Sequence, residues 1–84
     1  MRKKLDNSEV FISKAKNFAG MVGVVVDDQV IFVSVSEKPE NLSRVDFSDQ
    51  SRIFEWISKY RDPLYRHWNR EFSDREVLEA LSRP

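Results

Sequence analysis

Between Met21 and Ser36 the chain reads Met-Val-Gly-Val-Val-Val, then Asp-Asp-Gln, then Val-Ile-Phe-Val-Ser-Val-Ser. Two runs of β-branched residues split by a short polar step predict a β-hairpin. With Asp27 and Asp28 as a two-residue turn, Val25 faces Val30, Val24 faces Ile31 and Val22 faces Val33. A strand with one wet face alternates polar and apolar, yet residues 24–26 and 30–33 are apolar on both sides. Both faces near the tip therefore need cover, and one helix layer covers only one. Either the C-terminal helices fold back over the second face, or another chain covers it. That chain is a second copy, in a homodimer through the 21–36 hairpin, or a strand from a different protein.

The flanking segments read as helical. Asp6 as N-cap, Glu9 three residues on and Leu5 against Val10 as a hydrophobic staple predict a helix over 7–19. Phe11, Ala15 and Phe18 form its buried stripe, Gly20 ends it, and residues 1–5 precede it as a flexible N-terminus. Residues 37–41 are a polar loop, and the weak alternation of 42–47 predicts a short third strand. Ser48 caps a second helix whose apolar face is Ile53, Phe54, Trp56, Ile57 and Tyr60. Asp62 and Pro63 open a third over 63–70, with Leu64, Tyr65 and Trp68 inward. Ser73 and Glu76 form a capping box, and Phe72 with Val77 a staple, at the head of a last helix carrying Val77, Leu78 and Leu81. The expected fold is thus α+β: an N-terminal helix, an antiparallel hairpin or three-stranded meander, then two to three C-terminal helices, all in one small domain over 1–84.

Composition removes several kinds of function. With no Cys there is no disulfide scaffold, thiolate nucleophile or Cys-based metal site, and the single His leaves metal binding to carboxylates. Asp27-Asp28 is explained by its turn and Glu76 by its cap, so no metal and no cofactor are expected. Gly20 and Gly23 lack the partners of a phosphate-binding loop. Fourteen basic residues against 14 acidic give a net charge of +0, so any binding of nucleic acid must come from a local patch. Met1-Arg2-Lys3-Lys4 is followed by Asp6, Asn7, Ser8 and Glu9 where a secretion signal needs an apolar run. The longest uncharged apolar stretch, Phe18 to Val26, is about half of the roughly 20 residues a membrane helix needs, so a cytoplasmic, membrane-free protein is expected.

The segment Lys59–Arg70 concentrates three aromatics and several cations. Tyr60, Arg61, Tyr65, Arg66, Trp68 and Arg70 are the expected partner-binding surface, because Tyr, Trp and Arg dominate interface energies. The same residue types also suit a structural role, aromatics in the core and arginines on a solvated face. The expected function is a non-enzymatic protein-interaction module, an adaptor, inhibitor or small regulator. The alternative is a nucleic-acid-binding module using Arg2, Lys3, Lys4, Arg66, His67 and Arg70. Catalysis is not expected: one His beside Ser73 and Asp62 in sequence carries no geometric information.

Overall fold

The computed structural model describes residues 2–5, 8–13 and 19–82. Four strands come first: β1 (Arg2–Leu5), β2 (Ser8–Phe11), β3 (Met21–Val26) and β4 (Gln29–Ser34). They form one antiparallel sheet in sequence order. Three helices follow, α1 (Gln50–Lys59), α2 (Arg61–Trp68) and α3 (Asp74–Leu81), so the chain is α+β.

The hairpin has the register its valines dictate: Val25↔Val30, Val24↔Ile31 and Val22↔Val33. Asp27 (φ 48°) and Asp28 (φ 65°) both lie in the left-handed region. A two-residue turn with positive φ at both positions has the twist that β-strands need, and Asp tolerates that conformation better than most residues.

The helix expected over 7–19 is overturned where the chain is described, because residues 8–11 are β2. Ser8, Val10 and Ile12 are buried while Glu9 and Phe11 alternate outward. Period-two burial against β3, with Val10↔Val24 and Phe11↔Gly23, outweighs a cap-and-staple pattern worth about 1 kcal/mol. Leu5 and Val10, apparently a helix staple, are both on the helix-covered side of adjacent strands. Asp6, Ala15 and Phe18 lie outside the described residues. The segment expected to be a loose N-terminus instead supplies β1, and the three-stranded meander becomes a four-stranded one.

Residues 42–47 do not form a strand. Residues 40–43 run along the outer edge of β4, with Ser34 N donating to Glu40 O (2.9 Å), Leu42 N to Phe32 O (2.7 Å) and Phe32 N to Ser43 Oγ (3.0 Å). Asn41 then turns the chain away: its Oδ1 accepts from Ser43 N and Arg44 N, and Arg44 sits at φ 57°. A side chain that binds the following amides competes with ladder pairing.

The helix starts differ slightly from the cap signals. α1 begins at Gln50 after Asp49, without a side-chain cap, and α2 begins at Arg61, two residues before Pro63. The Ser73–Glu76 capping box of α3 forms as expected. Val10, Ile12, Val22, Val24, Ile31, Val33 and Val35 from the sheet pack against Ile53, Ile57, Leu64, Val77 and Leu81. All three helices thus cover the same face. Each of these side chains contributes about 1.5–3 kcal/mol by leaving water.

Candidate interaction surface

The basic-aromatic segment divides by residue type. Tyr65 donates its hydroxyl to Val35 O at 2.8 Å, and Trp68 donates Nε1 to Ser13 O at 2.8 Å. Their rings meet edge to face at 5.3 Å. Tyr60 caps α2, half-buried, with its ring 5.3 Å from Trp56 and 5.2 Å from the Lys59 ammonium. These aromatics join α2 to the sheet and to α1.

The arginines stay outside, and Tyr65, expected inward, is itself 42% exposed although its hydroxyl is engaged. Arg61 donates to Ser58 O, and Arg66 pairs with Asp62 at 2.9 Å with its guanidinium 5.6 Å over the Phe72 ring. Arg70, at φ 63°, occupies the turn before α3. His67 is 1% exposed. Its Nδ1 lies 3.2 Å from Phe72 O, and since a carbonyl only accepts, Nδ1 carries the proton; Nε2 lies 3.5 Å from Asp74 Oδ1. Buried there, the imidazole offers no surface to a phosphate.

The N-terminal cations stand apart from these arginines. Arg2 and Lys4 project from the sheet face opposite the helices, whereas Lys3 projects from the helix side and donates to Ser82 Oγ. The sheet separates Arg66 and Arg70 from Arg2 and Lys4, so the six residues of the nucleic-acid alternative do not form one patch.

The register also shows what becomes of the second apolar face of the 21–36 hairpin, which the sequence marked as needing cover: the C-terminal helices do not fold over it. On the helix-free side, one row across the sheet is Lys4, Glu9, Val25, Val30 and the next is Arg2, Phe11, Gly23, Phe32. Phe11, Val25, Val30, Phe32 and Arg2 line a shallow recess of about 270 Å³. Gly23 forms its floor; a Cβ there would lie 3.0 Å from Val30 Cγ1 and 3.7 Å from Phe11 Cβ. Arg2 closes one side, 5.9 Å over the Phe11 ring and 3.5 Å from Glu9 Oε1. Val30 is half exposed, as are Leu42 and Val45 beyond the β4 edge. Because Phe32 points its N–H and C=O away from β3, alternation points those of Val30 the same way, just past the end of the covering segment. Apolar residues at 25, 30 and 32 were the available signal. Phe11, assigned to a helix stripe, hid the fourth wall.

Among the described residues no three His, Cys, Asp or Glu side chains cluster, and no helix is long and apolar enough to cross a membrane. Comparison with known proteins matches the chain to no family model, no curated protein and no solved structure.

Proposed function

We propose that this chain is a non-enzymatic protein-interaction module, an adaptor or small regulator, whose working surface is the helix-free face of the sheet. The observation that supports this reading is the contiguous apolar recess of Phe11, Val25, Val30 and Phe32 around Gly23, on a face that none of the three helices covers. Apolar area of this kind, rimmed by Arg2 and Glu9, is the pattern of a protein contact. The aromatic residues of α2 give less support to an interface, since Tyr65 and Trp68 spend their polar atoms on the sheet. Nucleic acid is the weaker alternative because Arg2 pairs with Glu9, Lys4 lies opposite Glu9, and Arg66 and Arg70 are on the other side of the sheet.

The test is capture by the tagged chain from an extract of its source, in parallel with Val30→Asp. The expected result is a protein retained by the wild type and lost by the variant, whose melting temperature changes by no more than about 3 °C. Absence of any Val30-dependent association, self-association included, overturns the proposal.

A further inference from the structure

We infer that the outer edge of β1 takes up an acidic, extended segment of another protein, which adds to the sheet as a fifth strand. This surface is separate from the recess and goes beyond the reading given to that face.

Backbone geometry comes first. β1 ends the sheet on its side, so half of its peptide groups have no strand to pair with. The register says which half. Phe32 turns its N–H and C=O away from β3, so Gly23↔Phe32 exchanges no hydrogen bonds, Phe11↔Gly23 does, and Arg2↔Phe11 again does not. Arg2 therefore points its N–H and C=O outward, and by alternation Lys4 does the same. Among the described residues nothing bonds to these four groups. An extended peptide laid along the edge can pair with all of them.

Charge selects the occupant. Arg2, Lys3 and Lys4 set three cations along about 7 Å of strand. Arg2 has the Glu9 carboxylate at 3.5 Å, Lys3 spends its ammonium on the neutral Ser82 hydroxyl, and Lys4 has no ion-pair partner among the described residues. Two positive charges are left over. A second β1 set against this one would bring cation against cation, and Glu9 is the only carboxylate in the four strands, so no strand of a second copy supplies the complement. The occupant is a different protein. In an antiparallel addition its residues opposite Arg2 and Lys4 stand two apart on the helix-free side, where Glu or Asp at i and i+2 meets both cations; an acid at i+1 meets Lys3 on the other side. A nucleic acid would offer phosphates to the cations but no alternating N–H and C=O groups to the edge.

The probe is acetyl-(Glu-Thr)3-amide, titrated into the whole chain to about 5 mM and followed through backbone amide resonances, because a contact this small binds in the millimolar range. The expected result is saturable shifts at Arg2 and Lys4. Lys4→Glu, its fold checked by circular dichroism, should weaken binding at least about threefold by exchanging an attractive cross-strand pair for a repulsive one. Val30→Asp, three strands away, should leave the affinity within about twofold, so failure of the recess and failure of this edge read out separately. N-methylation of the three Glu nitrogens tests the ladder without touching the protein: every charge stays, the donors aimed at β1 go, and the affinity should fall at least about fivefold. An N-methylated probe that binds as tightly, or a single-stranded thymidine hexanucleotide that does so, reduces the edge to a plain patch of charge and overturns strand addition. A Lys4→Glu chain that binds the probe unchanged, or a wild type with no saturable shift, overturns it too.

Discussion

The indole Nε1 of Trp68 donates to the backbone carbonyl of Ser13 at 2.8 Å, a hydrogen bond that spans 55 positions of sequence and fastens α2 to the chain just beyond β2. Two residues away, the exposed Arg66 side chain pairs with Asp62 and lies over the Phe72 ring at the surface. Neighbours within one basic-aromatic stretch therefore do different work. Trp68→Phe should lose about 1 kcal/mol of stability, the worth of one hydrogen bond, and Trp68→Ala about 3 kcal/mol. Arg66→Ala should stay within about 1 kcal/mol of wild type, as exposed ion pairs do. Urea denaturation of the three variants measures the contrast.

His67 is the second bolt. Its Nδ1–H holds the Phe72 carbonyl just before the Ser73 cap, so the ring ties the end of α2 to the start of α3. His67→Phe leaves that carbonyl without its donor and should cost about 1–3 kcal/mol. Asn places an amide nitrogen near the Nδ1 position and Gln near Nε2. His67→Asn should therefore be milder than His67→Gln, again by chemical denaturation.

At the hairpin tip, Asp28 holds φ 65°. Glycine adopts that conformation without a Cβ penalty and is the preferred second residue of such a turn, so Asp28→Gly should stabilise the chain by about 0.5–1 kcal/mol. A thermal melt would show the increase. A decrease would mean that the Asp28 carboxylate contributes more to the fold than its backbone costs.

Gly23 separates folding from association. A methyl group there meets Val30 Cγ1 at 3.0 Å, but Val30 is half exposed and has room to turn outward. Gly23→Ala should therefore change stability by no more than about 1 kcal/mol, the better strand propensity of Ala offsetting the local crowding. It should nevertheless abolish Val30-dependent association, because the floor of the recess is raised. Denaturation and sedimentation on the same sample separate the two effects.

How far the sequence could be read follows from how local the deciding forces are. The 21–34 hairpin was legible to the residue because β-branched alternation and an Asp-Asp turn specify the same register. The Ser73 capping box was legible because all its partners lie within four positions. β2 was not. Ser8-Glu9-Val10-Phe11-Ile12-Ser13 has no clean polar–apolar alternation, whereas Asp6, Glu9 and the 11, 15, 18 spacing offer a helix, and only pairing with β3 sets the alternate burial of a strand. The recess was half legible: Val25, Val30 and Phe32 marked the hairpin's second face as apolar, whereas Phe11 and Arg2 come from segments expected to be a helix and a flexible terminus. The spacing of Tyr65 and Trp68 pointed them inward, but their polar partners and that of His67 were not legible, because Val35, Ser13 and Phe72 supply backbone carbonyls that no pattern of side chains reveals.

The two margins of the sheet are guarded by different means: residues 40–43 cover most of β4, and β1 ends the other side with the cations Arg2, Lys3 and Lys4. Guarded in this way, the sheet resists sideways extension into fibrils. A chain shortened by its first five residues would bare the hydrogen-bonding groups of Ser8–Phe11 beside the valine-rich β3, and such a truncation should turn a well-behaved solution into amyloid-like aggregate.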